Sequence, residues 1–310
     1  MPALICGSLA FDTITTFPGR FAEQIMPDQV HILNVSFLVP TLRREWGGCA
    51  GNIAYNLHGL GGAPVILGAV GVDGDEYLAR VRGWGADTSL ILRDGVLHTA
   101  QCHITTDRDN NQITAFHPGA MSHAHLMAVP PKHERGDLAI GIIAPDGRDA
   151  MWQHAHQMHE QGIPFIFDPG QGMPMFGDDD LRRFISQARW VTLNDYEWEL
   201  LQQKTGLSVT EVTAQVEALV VTQGAEGSVI YTKELKLKIP SAKPRAVVDP
   251  TGCGDAYRAG LIHGLLEGLD WETIGRMASL MGAIKIESRG PQNHVFTQAE
   301  FKRRYQDNFG

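Results

Sequence analysis

The stretch VVDPTGCGDAYRAG, residues 247–260, sets an aspartate, a proline and two glycines around a cysteine, directly ahead of the helically spaced run DAYRAGLIHGLLEGL. Read in order, AVVDP closes a strand, TGCG turns the backbone and the next segment is a helix. The start of such a helix leaves N–H groups without intrahelical acceptors and carries partial positive charge, so it binds anions, phosphate above all. The same field favours an ionised Asp255. Thr251 and Asp255 would serve equally as ordinary helix caps, and the local composition does not choose between the two readings.

Outward from this stretch, the apolar runs ALICGSLAF (3–11), PVILGAVG (64–71), LAIGIIAP (138–145), PFIFDPG (164–170), RWVTLN (189–194) and ALVVTQG (218–224) are expected to be buried strands. Helical patterns lie between several of them, over 50–61, 149–161 and 195–203. Such alternation predicts an α/β fold: a mostly parallel sheet with helices on both faces. Residues 13–46 and about 97–117 break the rhythm. Alternating stretches such as HILNVSFLV and HTAQCHITTD, with a turn-like DRDNN, predict a small antiparallel sheet inserted into the body. Its apolar face and edges would need cover, from a ligand underneath or from a second subunit. A chain of 310 residues fits one domain, 1–310, carrying this insert as a lid.

Composition removes several classes of function. A net charge of −9 argues against binding a nucleic-acid polymer, which needs clustered Lys and Arg; the one dense patch, KRR at 302–304, reads as a solvated helix face. No apolar run approaches the roughly 18 residues of a membrane span, and the N-terminus lacks a signal peptide's basic start and cleavage site. Four cysteines without C-x-x-C spacing suggest neither a disulfide framework nor a zinc knuckle, so a cytoplasmic protein is expected. His154, His156 and His159 in HAHQMH lack an acidic third ligand and read as a helix surface rather than a metal centre. There is no G-x-x-x-x-G-K-[ST], so phosphate must be held without a Walker lysine.

Asp249, Thr251, Gly252, Gly254 and Asp255 together resemble the signature D-T-x-G-x-G-D-x-F of the ribokinase-like, phosphofructokinase B-type carbohydrate and nucleoside kinases, with Pro250, Cys253 and Tyr257 as departures. A second string, GGCAGNIAYNLHGLGG (47–62), places Gly47, Gly48, Asn52, Ala54, Leu57 and Gly61 in that family's other signature; without the family it is a glycine turn opening an amphipathic helix. The resemblance implies a ribokinase-like three-layer α/β/α sandwich with a small β-sheet lid. It implies that the N–H groups of Gly252, Cys253 and Gly254 form an anion hole and that Asp255 is the catalytic base. Gly48 and Asn52 would contact substrate hydroxyls. Asn194 and Glu197 in TLNDYEWELL match an N-x-x-E motif that organises Mg2+, usually through water, and phosphate; an ordinary capping box has the same spacing. Thr222, Gly224 and Gly227 in VVTQGAEGSV, together with Thr251, would approach the phosphates of ATP, and Ala283 in SLMGAIKIESRG would line the adenine pocket. Activation by a monovalent cation such as K+ is carried by the same resemblance.

CGSLAFDT places Asp12 just past the first strand, where the resemblance implies a grip on paired sugar hydroxyls, and Ser8 before it is also expected to bind substrate. FPGRFAEQIMP, NVSFLV and QITAFHPGAMS are similar to the bacterial adenosine kinase branch, which favours a nucleoside over a free sugar. Phe116 would then stack on the base and Gln171 would face it, while Cys102, standing where a second aromatic is expected, would widen the pocket toward inosine and guanosine. The expected reaction is transfer of the γ-phosphate of MgATP to a ribose 5′-hydroxyl. A sugar kinase, or a nucleotide-binding sensor without catalysis, remain the alternatives. A homodimer through the lid edges is also expected.

Overall fold

The computed structural model describes every residue except 26–31, 33, 110 and 136–137. From the N-terminus the described strands are β1 (Pro2–Cys6), β2 (Ala10–Thr16), β3 (Thr41–Gly47), β4 (Ala63–Val70), β5 (Ile91–Arg93), β6 (Ala100–Thr106), β7 (Gln112–His117), β8 (Ile140–Ile143), β9 (Phe165–Phe167), β10 (Trp190–Asn194), β11 (Ala218–Thr222), β12 (Ser228–Tyr231) and β13 (Lys236–Ile239). Nine of them form one sheet in the order β13-β12-β11-β10-β9-β8-β1-β4-β5. It is parallel from β5 through β11, and β12 and β13 fold back antiparallel at one edge.

Continuous apolar runs such as IGII and FIF form these strands because both sheet faces are covered. Successive side chains point to opposite faces. Ile5, Ile66, Ile142 and Ile166 thus join one core with the helices Cys49–Gly59, Cys253–Leu266 and Trp271–Ile286. Leu4, Leu67, Ile143 and Phe167 face the other core, under the helices Arg148–Glu160, Asp178–Gln187 and Asp195–Thr205. The expected three layers are present. Among the described residues no helix is long and apolar enough to cross a membrane.

The second sheet, β3-β2-β6-β7, is the expected lid, with three differences from the sequence reading. Residues 3–11 are not one strand: β1 ends at Cys6, and the chain leaves the large sheet at Gly7, where an added Cβ would lie 3.1 Å from that of Ala144. The lid is not wholly antiparallel. β2 and β6 pair in parallel, because each enters the lid after a strand of the same parallel sheet. HILNVSFLV is not a lid strand: His31 and Leu33 lie outside the described residues, 34–39 form no strand, and the strand follows at TLRREWG. Phe37 instead packs on Phe17 and Phe21, with ring centroids 5.0 and 4.9 Å apart. In DRDNN, Asn110 lies outside the described residues, and Asp107 accepts the N–H groups of Asp109 and Asn111 to make the turn.

A fourth difference touches the opening stretch. VVDP is not a strand end, since the N–H groups of Val248 and Asp249 both donate to Ile286 O and bind this segment to the end of a helix.

Phe184 is buried and stacks on Phe167 at 4.4 Å between centroids. Phe184→Ala removes that ring from a packed core and is expected to lower stability by about 3–5 kcal/mol, read as a shift of the urea midpoint at unchanged slope.

Candidate active site

A cleft of about 770 Å3 opens between the lid and the C-terminal ends of the large sheet's strands. From β1 the chain crosses to β4 on one side, while β8 through β11 build out on the other, so the ends of β1 and β8 form the switch point where open α/β sheets bind ligands. Ser8, Pro145 and Asp146 stand there and line the cleft.

Three helices point their N-termini at it. In the helix Cys49–Gly59, Ser8 Oγ accepts the Cys49 N–H at 3.1 Å, and Gly48, with φ of 85°, passes so close to Ser8 that a Cβ would lie 2.5 Å from its carbonyl oxygen. Only glycine fits that turn. Asn52, one turn on, donates from Nδ2 to Asp255 Oδ2 at 2.8 Å. Its Oδ1 accepts from Gln292 Nε2 at 3.0 Å, which fixes the direction of the amide.

Asp255 lies in the first turn of the helix Cys253–Leu266 and faces the cleft. Burial raises its pKa to about 7, against the pull of Asn52 and Arg258. The turn before it begins at Gly252, with φ of 81°, where a Cβ would meet Pro291 Cβ at 2.7 Å. Among the described residues, the N–H groups of Gly252 and Gly254 have no backbone acceptor. The Cys253 N–H, expected with them in the anion hole, donates instead to Pro250 O at 3.1 Å because the 250–253 turn closes on itself. Gly252, Gly254 and Thr251 line the cleft, whereas Cys253 does not.

The lid contributes alternate residues of one face, including Asp12, Cys102, Ile104, Thr114 and Phe116. Asp12 pairs with Cys102 and Cys102 with Phe116, so a carboxylate, a thiol and a half-exposed ring stand in one row across three strands. Burial, with Glu45 and Asp249 nearby, raises Asp12 to about 6 in spite of Arg43. Its carboxylate crosses over Gly47, where a Cβ would lie 2.4 Å from Oδ2. Gln171 lines the same cleft from the segment after β9.

Asn194 and Glu197 form the capping box and also line the cleft. Asn194 Oδ1 accepts the Glu197 N–H and Glu197 Oε2 accepts the Asn194 N–H, each at 2.7 Å, at the start of the helix Asp195–Thr205. Thr222, Gly224, Gly227 and Ala283 lie outside the cleft lining. Thr222 ends β11, Gly227 has φ of 98° at the β11–β12 turn, and Ala283 packs with Leu280 and Ile284. His154 points inward to Met127 O and His156 pairs with Glu160, so HAHQMH makes no cluster.

Several residues here had escaped the sequence reading. Asp168, after β9, takes Arg258 in a bidentate pair at 2.9 and 3.0 Å, and Arg258 Nη2 is 4.0 Å from Glu197 Oε2. Their signal was an acid at a strand end and an arginine amid a helix's apolar residues. Burial raises the Glu197 pKa, and Asp168 adds to the shift. Asp146 is buried, and burial pushes its pKa to about 8; its Oδ1 accepts the Gly147 N–H at 2.8 Å and its Oδ2 has no partner among the described residues.

Comparison with known proteins gives the arrangement relatives. The model of the pfkB family of carbohydrate kinases matches residues 21–298. A nucleoside kinase of Methanocaldococcus jannaschii is 32% identical over 85% of this chain and 86% of its own length. The nucleoside kinase of Burkholderia thailandensis in complex with inosine superposes with a TM-score of 0.90 at 48% identity, covering 99% of this chain and 98% of that one. The same enzyme with ADP and inosine gives 0.88 at 49%, covering 99% and 96%.

Asp146 has a folded pKa near 8 against 3.8 for a free side chain. Between those values the unfolded state binds fewer protons, so this group's contribution to stability falls as pH rises. Asp146→Asn removes that loss. Its thermal midpoint is expected to exceed the wild type's at pH 8, and the gain to shrink toward zero below pH 4.

Proposed function

The chain belongs to the pfkB family of carbohydrate kinases, and from that premise we propose that it is an ATP-dependent nucleoside kinase forming nucleoside 5′-monophosphates. One observation carries the reading. A carboxylate with a pKa near 7 faces the cleft from a helix N-terminus, opposite a lid row of Asp12, Cys102 and Phe116. The complexes of the Burkholderia thailandensis enzyme with inosine and with ADP and inosine support a purine nucleoside as acceptor.

In this reading Phe116 stacks on the base, with Gln171 beside it, and Asp12 and Asn52 orient the ribose. Asp255 accepts the proton of the 5′-hydroxyl as its oxygen attacks the γ-phosphorus. The Gly252 and Gly254 N–H groups, at the positive end of their helix, stabilise the charge that develops. Asn194 and Glu197 suit the Mg2+ that accompanies ATP: both line the cleft, and carboxylate and amide oxygens reach such an ion through its water shell. When bound, Mg2+ neutralises charge on the phosphate oxygens. Thr222, Gly224, Gly227 and Ala283 would meet the nucleotide beyond the cleft described. The lid keeps water from the transferring group.

The row also separates this reading from a sugar kinase, since a free pentose has nothing to place on Phe116. An ATP-consumption assay over nucleosides and sugars is expected to show turnover with adenosine, inosine and guanosine and little with ribose or fructose. Adenosine selectivity of about 10³-fold would reject the widened pocket at Cys102.

Asp255 must be ionised to act, so kcat/KM is expected to rise with pH through about 7 and level off above it. Asp255→Asn should bind nucleoside normally yet lose about 10²-fold or more in kcat; a smaller loss than about tenfold would remove Asp255 as base.

A further inference from the structure

Lys285 lies in the last turn of the helix Trp271–Ile286 and has no exposed surface. A fully buried lysine is rare, and one normally sits against a carboxylate. This one does not. Its Nζ donates to Asp249 O at 2.7 Å and to Ser288 O at 3.2 Å, and among the described residues no carboxylate comes within ion-pair distance of it. The Asp249 carboxylate is occupied by the N–H groups of Thr251 and Gly290, each at 3.0 Å, and by Arg43 Nη2 at 3.2 Å. Burial lowers the pKa of Lys285, while Cys253 and Asp249 favour its charged form.

Main-chain carbonyl oxygens are the donors with which proteins replace the water shell of an alkali cation. Here an ammonium takes that place. One of its carbonyls belongs to Asp249, which opens the turn that carries Thr251 and Gly252 into the cleft lining. The other belongs to Ser288, in the segment leading to Pro291, the residue against which Gly252 packs. The ammonium thus joins both walls of the anion-binding turn from behind.

We propose that the Lys285 ammonium is a built-in monovalent cation, which holds the phosphate-binding turn in shape and adds positive charge behind it, so that transfer needs no added alkali cation. It fills the role for which K+ was expected. The inference rests on the kinase reading above.

The test compares phosphoryl transfer in K+, Na+ and tetramethylammonium chloride at equal ionic strength, for wild type and Lys285→Met. The wild type is expected to turn over at the same rate, within about twofold, in all three. The methionine variant keeps the side chain's length without its charge, and is expected to lose about tenfold or more in kcat in tetramethylammonium. K+ or NH4+ should restore part of that loss, which a purely structural role would not allow. Thermal midpoints in the same salts separate folding from catalysis. A wild type that requires K+ overturns the inference, even if the variant does not fold, and so does a folded variant that is as active as wild type or is not rescued. Absence of transfer to any nucleoside or sugar would instead sink the kinase reading. ATP affinity by calorimetry then decides the inference, since only the variant should bind more tightly on adding K+.

Discussion

An arginine clamped across two acids holds the cleft together. Arg258 stands three residues beyond Asp255 on the same helix and meets Asp168 at the end of β9, with Glu197 beyond; the Arg258 and Asp168 side chains are 7% and 4% exposed. The pair fastens that helix, near its start, to the end of a strand from the body of the fold. Breaking such a pair leaves a buried charge alone, at about 3–5 kcal/mol. An apolar pair of similar volume could keep the helix in place, but it would remove the positive charge that opposes the desolvation of Asp255.

That clamp answers a difficulty of charge. Asp12, Asp146, Asp168, Glu197 and Asp255 all line a cleft meant for a polyphosphate. The structure divides their work by environment. Burial works against ionisation of Asp249, but the N–H groups of Gly290 and Thr251 outweigh it and hold the carboxylate at about 2. Asp255, six residues on, has among the described residues a single hydrogen-bond donor, the Asn52 amide, besides the charge of Arg258, and stays near 7. Two acids of one short motif are thereby pushed apart, the first into a permanently ionised brace and the second into a group able to take and return a proton near neutral pH.

The layout of the large sheet was legible because buried parallel strands are written as unbroken apolar runs. The two glycine turns were legible because positive φ and close approach at Gly48 and Gly252 leave no other residue. The errors share a cause. HILNVSFLV alternates like a strand, yet its Phe37 is used by an aromatic cluster, and the apolar VVDP is held by its N–H groups to Ile286 O at a helix end. Local pattern reports a tendency to extend, not which partner is free. Asp146, Lys285 and Gln292 left no local mark, and Asp168 and Arg258 only an acid at a strand end and an arginine within an apolar helix, since the partners that give them their roles come from other elements. The Cys253 N–H was misplaced for a subtler reason: a turn tight enough to aim its neighbours closes on Pro250.

One hydroxyl links the lid to the bonds that hold Asp255. Phe11 of β2 and Trp46 of β3 pack on Tyr77, with centroids 5.6 and 5.5 Å away, at the root where the lid joins the body. The Tyr77 hydroxyl donates to Gly47 O at 2.6 Å and accepts from Gln292 Nε2 at 3.0 Å, and the same amide nitrogen reaches Asn52 Oδ1. Gly51 makes room for it, since a Cβ there would lie 1.9 Å from the hydroxyl oxygen. A continuous set of bonds therefore runs from the last residue of β3, Gly47, through Tyr77, Gln292 and Asn52 to Asp255. Gln292 Nε2 fixes the Asn52 amide, which cannot flip without losing both this bond and its own to the carboxylate. The lid's root, from which β2 carries Asp12 over the cleft, and the Asp255 carboxylate are thus positioned by one framework.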